Sequence, residues 1–203
     1  MLADRADIIS RALQALRTGG RAEACDLLCA EYPFFAVIPD GRRYTEVESL
    51  QVFNRDGFVD RYSGQRLVFP GALRLLSRLL PQALPFHPNW KMAETHPAYW
   101  ELFPTIDHML PISRGGTDSD LNWVTTSMMR NAAKANWTLE ELGWCLCPVG
   151  SLAEWDGLTG AFLEFVGTDY SVLEDAYLRR WYSAAVRTGA RAEQAAIGGQ
   201  PSD

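Results

Sequence analysis

The chain has 203 residues, 47% hydrophobic and 22% charged, a balance that excludes a disordered protein and suits one compact unit with a core that needs no disulfide or metal staples. Nineteen Lys/Arg against 25 Asp/Glu give a formal charge of −6, which excludes a protein coated in positive charge but not a local nucleic-acid site. No apolar stretch approaches the roughly 18 residues that span a bilayer, and Met1-Leu-Ala-Asp-Arg-Ala-Asp7 has acids where a signal peptide has a basic region, so a cytoplasmic protein without a membrane partner is expected.

Residues 4–30 predict two helices, with Ile8, Ile9, Leu13, Leu16, Ala24, Leu27 and Leu28 at three- and four-residue steps and a break at Thr18-Gly19-Gly20. Tyr32-Pro33 ends the second, because the residue before proline is pushed out of the helical region, and Pro39-Asp40-Gly41 reads as a turn. A third helix is expected over 45–56. A short hairpin is expected around Ser63-Gly64, and a short apolar helix from Leu73 to Leu80. The stretch 81–104 holds five prolines, at 81, 85, 88, 97 and 104, and should be largely irregular because proline lacks a backbone donor.

From Thr105 the pattern sharpens. Residues 105–112 read as a strand, Ser113 to Asp120 as a polar loop with two glycines, 122–126 as a second strand, and 127–136 as a helix capped by Thr126 or Ser127. Thr138-Leu-Glu-Glu141 fits a capping box that opens a short helix closed by Gly143. Residues 151–189 read as mostly helical, followed by a polar, disordered tail. Cys25, Cys29, Cys145 and Cys147 form C-x3-C and C-x-C spacings rather than zinc-ribbon pairs, and four reduced, partly buried thiols are expected.

Three segments organise the chain: a helical N-terminal flank (1–50), a middle (51–144) and a helical C-terminal flank (145–203), expected to form one compact unit. The middle holds nine basic and nine acidic residues, so the whole net charge lies in the flanks. The middle can therefore face a phosphate backbone, especially beside a divalent cation.

Within the middle stand Asp107-His108, Asn122, Asn131 and Lys134, in the spacing D-H-x13-N-x8-N-x2-K. These residues suit phosphodiester hydrolysis. A histidine near neutral pKa can take a proton from water, and Asp carboxylate and Asn carbonyl oxygens suit Mg2+ or Mn2+. Adjacent strand residues point to opposite faces, so Asp107 and His108 share a site only if the strand ends or twists there.

With Ile106 to Gly116, Leu121-Asn-Trp-Val124 and Arg130-Asn-Ala-Ala-Lys134 the chain resembles the HNH endonuclease family, whose core is the ββα-metal fold. The likeness is strong over 106–134. It extends upstream through Asn54-Arg-Asp-Gly-Phe58 and Tyr62-Ser-Gly64. It implies an α+β, mainly helical protein with an HNH core between helical flanks. It implies His108 as the general base and Asn122 as the brace of the inter-strand loop and of the histidine. Asp107 and Asn131 would be the holders of a divalent cation, and Lys134 and Arg114 would contact phosphates. The family's zinc-binding cysteines fall at Asp60, Ser63, Ser127 and Arg130, so no structural zinc is expected, and an Asp60–Arg130 ion pair is a candidate replacement.

The implied function is metal-dependent hydrolysis of DNA. The alternative is a catalytically silent nucleic-acid-binding or protein-interaction module on the same fold. A nuclease working with a protein partner is a third reading, favoured by an apolar patch on a flanking helix. His96 and, less so, His87 are further candidates for lining the site. Trp90, Tyr99 and Trp100 either stack bases or pack in the core.

Overall fold

The structure, a computed structural model, describes residues 4–18, 20–34 and 44–198, with side chains to residue 189. Among these the protein is α+β and mainly helical, with helices α1 (Arg5–Arg17), α2 (Arg21–Glu31), α3 (Glu46–Arg55), α4 (Pro70–Leu79) and α5 (Ala98–Glu101) preceding a strand β1 (Pro104–His108). After it come β2 (Trp123–Ser127), α6 (Met128–Lys134), α7 (Leu139–Leu142), α8 (Thr159–Thr168) and α9 (Ala176–Gly198). The two strands pair antiparallel, Pro104 opposite Ser127 through His108 opposite Trp123. None of the described helices is long and apolar enough to cross a membrane.

Local signals place most elements. Thr45 and Glu48 form a reciprocal capping box at α3, as Thr138 and Glu141 do at α7, where Gly143 closes the helix in the left-handed region. Pro70 opens α4 at its first turn, where a missing N–H costs nothing. The expected hairpin near Ser63-Gly64 reduces to one bridge between Val59 and Arg66. The expected strand 105–112 stops at His108, because Pro111 lacks a donor and Ile112–Arg114 curls into a 3-10 turn ended by Gly115 at φ +87°. The C-terminal tail expected to be disordered is helical to Gly198; Ala190-Arg-Ala-Glu-Gln-Ala-Ala196 is made of strong helix formers. The turn expected at Pro39-Asp40-Gly41 lies outside the described residues.

One main core joins the middle of the chain to its C-terminal flank. Leu50 and Phe53 of α3, Phe58, Phe69, Leu73 of α4, Tyr99 of α5, Phe162 of α8 and Leu178 and Trp181 of α9 are buried together. Trp181 lies over Phe53 with ring centroids 6.4 Å apart and meets Phe69 edge-on at 5.5 Å, so one indole closes α9 onto α3 and the 58–69 segment. The expected boundary at residue 50 falls inside α3, and Leu50 belongs to this core. Trp90, Tyr99 and Trp100 pack with Phe86 and Phe103 in an aromatic cluster, which uses their rings for packing.

Helices α1 and α2 form a hairpin with a separate small core of Ala12, Ala15 and Ala24, flanked by Leu27 and Leu28. The small alanines let the two helices approach, and Arg11 pairs with Glu31 across them. Of the periodic apolar positions of α1, Ile8 is buried, whereas Ile9, Leu13 and Leu16 are 50%, 60% and 49% exposed. All four thiols are free, as expected, but Cys25, Cys29 and Cys145 are exposed rather than partly buried. Trp181→Ala should lower unfolding free energy by about 3–5 kcal/mol, the usual cost of emptying a buried aromatic site, read as a fall in urea midpoint without loss of helical circular dichroism.

Candidate functional site

The site begins with how β2 is held. Its inner edge pairs with β1. On its outer edge two fully buried carboxylates take the place of a third strand: Asp56 Oδ2 accepts from Thr125 N at 2.7 Å, and Asp60 Oδ2 accepts from Ser127 N at 2.9 Å. Between them Arg61 N donates to Thr125 O at 2.9 Å. Asp60 Oδ1 also accepts from Tyr62 N and Thr126 Oγ1, and Asp56 pairs with Arg55 and Arg61. The donors gathered on each carboxylate offset the cost of burying it. The expected Asp60–Arg130 ion pair does not form among the described residues: Asp60 is already satisfied by β2, and Arg130 lies over the Trp144 ring at 5.6 Å.

Beyond β1 the chain turns back through a loop fastened by Asn122. Its Nδ2 donates to Leu110 O and Thr117 O, each at 2.9 Å, and its Oδ1 accepts from Leu110 N at 2.9 Å. Gly116 makes this closure possible, since a β-carbon there would lie 1.9 Å from Leu110 O and 2.9 Å from Asn122 Nδ2.

Because β1 ends at His108, Asp107 and His108 both reach one cleft of about 260 Å3, which Tyr44, Pro111, Ile112 and Asn131 also line. Helix α6 presents Asn131 there, starting from Ser127 as N-cap and ending at Ala135 with φ +45°. Asn131 Nδ2 donates to Thr105 Oγ1 at 3.0 Å and to Ile106 O at 3.3 Å. A carbonyl acceptor fixes that amide's orientation, so Oδ1 is the atom left for a ligand. Asp107 Oδ2 accepts from Tyr62 Oη at 2.6 Å and pairs with Lys134 Nζ at 2.9 Å. Burial pushes the Tyr62 phenol far above its ordinary range, with the Asp107 charge adding to it, so the phenol remains a donor.

Lys134 requires a correction. Instead of offering its charge to a phosphate it is 0% exposed, with Nζ donating to His108 O at 2.7 Å as well as pairing with Asp107. The aliphatic stem packs inside while the ammonium finds two oxygens, which is how a buried lysine is tolerated. Arg114 does not join the cleft. It pairs with Glu141 at 3.5 Å beside Arg5, in a separate cavity between α1–α2 and α7. His96 and His87 do not line the cleft either; their Nδ1 atoms accept from Ala98 N and Asn89 N in local turns.

The residue that sequence reasoning passed over is Asp118. Its Oδ1 lies 2.7 Å from His108 Nε2 and accepts from Tyr44 Oη and Trp123 Nε1, each at 2.9 Å. Burial raises its pKa, but bonds from His108, Tyr44 and Trp123 outweigh that and hold the carboxyl below its ordinary range. Trp123 could have been foreseen, since antiparallel pairing of the two strands sets it opposite His108. Asp118 gave only the signal of an acid in a Gly-rich loop.

For a divalent cation the available donors are the Asp107 carboxylate and the Asn131 amide oxygen, both at the cleft. This all-oxygen pair fits Mg2+ or Mn2+, which bind through one or two protein oxygens and complete their shells with water and substrate phosphate. Among the described residues no group of three His, Cys, Asp or Glu side chains gathers as a metal cage would require.

Lys134→Met should destabilise by about 3–5 kcal/mol, because it strands a buried carboxylate; Asn122→Ala should cost about 2–3 kcal/mol for three lost bonds and speed hydrogen exchange at the Leu110 amide. Denaturant titration and native-state exchange check the two. No family model, curated protein or solved structure matches the chain.

Proposed function

We propose that the protein is a metal-dependent endonuclease that hydrolyses DNA phosphodiester bonds on an HNH-type ββα core. The observation that carries the reading is the meeting of Asp107, His108 and Asn131 at one cleft. An imidazole and two oxygen donors from a strand end and a helix are what hydrolysis of a phosphodiester asks for. Asp107 and Asn131 would hold Mg2+ or Mn2+, which when bound offsets charge on the scissile phosphate. His108 takes the proton from the attacking water. Asn122 keeps the loop closed around the histidine, and Lys134 holds the Asp107 carboxylate in place from inside.

The partner-dependent form of this reading draws support from α1. Ile9, Leu13 and Leu16 stand one turn apart on its outer face and are all exposed, a stripe of the kind a protein partner covers. The silent-module alternative has no comparable observation behind it.

The test is incubation of supercoiled plasmid with Mg2+ or Mn2+. Wild type should nick, and His108→Ala should slow nicking by about 10²–10⁴-fold, the usual worth of a general base. Nicking that survives the substitution removes His108 as the base. Failure of the wild type with every metal favours the silent module.

A further inference from the structure

The surroundings of His108 contain a conflict that a proton on Nε2 resolves. Nε2 lies 2.7 Å from Asp118 Oδ1 and 3.1 Å from Trp123 Nε1. A carboxylate accepts only, and an indole N–H donates only. Nε2 cannot donate to one and accept from the other at once. Were Nε2 unprotonated, its lone pair would face a carboxylate oxygen at 2.7 Å. With a proton on Nε2 the conflict disappears: the ring donates to Asp118, and the Trp123 N–H turns to the same oxygen, 2.9 Å away, beside the Tyr44 hydroxyl. The Tyr44 and Trp123 rings brace this arrangement edge-on, with centroids 4.9 Å apart.

The other ring nitrogen is the free one. Nδ1 bonds to no described residue, and among the described residues the sealed side-chain atoms without a hydrogen bond are Arg74 Nε, Trp100 Nε1 and Ser113 Oγ. Nδ1 is not among them, and the ring lines the cleft.

We infer that Asp118, held by Tyr44 and Trp123, is a positioning residue that keeps His108 as the Nε2–H tautomer and so makes Nδ1 the base of the site. In its kinetic part this deepens the nuclease reading and rests on it. Nδ1 takes a proton from water as the oxygen attacks phosphorus. The bond to the leaving oxygen breaks with its electron pair, and that oxygen takes a proton from solvent. The imidazolium so formed keeps its Nε2–H on Asp118, whose negative charge offsets the new positive one.

Trp123 makes the idea sharply testable. In Asp118→Ala the indole N–H loses its carboxylate and has Nε2 as its nearest acceptor. It should then impose the opposite tautomer, with the proton on Nδ1. The Tyr44 hydroxyl lies 3.4 Å from Nε2 and can donate to it as well, so removing both donors, in Asp118→Ala/Trp123→Phe/Tyr44→Phe, should release the ring. The readouts are 15N shifts of the full-length protein labelled at histidine, assigned with His108→Ala and recorded at pH 8, together with plasmid nicking.

Wild type should show Nε2–H, and Asp118→Ala should show Nδ1–H with kcat lower by about 10²-fold and KM nearly unchanged. The triple variant should regain part of both. A wild-type ring protonated on Nδ1 overturns the inference, and so does an Asp118→Ala ring whose tautomer does not change, whatever its activity. If the tautomer switches as expected but the wild type nicks nothing, the positioning role stands and the nuclease reading fails.

Discussion

Two buried carboxylates hold the outer edge of β2, on which the placement of the cleft depends. A two-stranded sheet is marginal alone because each strand keeps an unpaired edge. Asp56 and Asp60 lie four residues apart and satisfy the Thr125 and Ser127 amides, which are two residues apart on the outer edge of β2. One turn of irregular chain thus does the work of a strand. The resemblance places a metal-binding position at Asp60, and here its oxygens gather donors from the end of β2 and from the turn at Tyr62. Hydrogen bonding to a buried carboxylate ties these two segments together.

What that edge secures is the start of α6. Ser127 gives its amide to Asp60 and its hydroxyl to the Arg130 amide, so the helix is aimed by the same residue that ends the strand. Aim matters because α6 delivers Asn131 to the cleft and Lys134 beneath it. The lysine joins the end of β1 to α6 through Asp107 and the His108 carbonyl. The catalytic reading needs Asp107 and His108 to remain at one opening despite the alternation of a strand, and ending β1 at His108 before the Pro111 turn provides that.

The flanks serve different ends. The C-terminal helices complete the main core through Trp181, Leu178 and Phe162, so they are part of the scaffold that carries the cleft. The N-terminal hairpin buries alanines and leaves leucines outside. It is attached near α7 through Arg5, which pairs with Glu141 and lies over Trp137. Ile9, Leu13 and Leu16 stand on its outer face.

The order strand, loop, strand, helix was legible from the sequence because it rests on local rules: β-branched runs, a Gly-Gly loop, a serine cap and good helix formers in succession. The spacing of Asp107, His108, Asn122 and Asn131 was legible for the same reason, since each lies in or beside one of those elements. Three things were decided only by the tertiary structure. Lys134 reads as a surface cation because lysine usually is one; only packing shows that two oxygens wait for it inside. The burial of Ala12 and Ala15 in place of Leu13 and Leu16 was not legible because periodicity marks an apolar face but not which neighbour is small enough to lie against it. Asp118 was invisible because a loop residue has no periodicity, and its meaning comes from a histidine ten residues earlier and a tyrosine far upstream that converge only when the chain is folded.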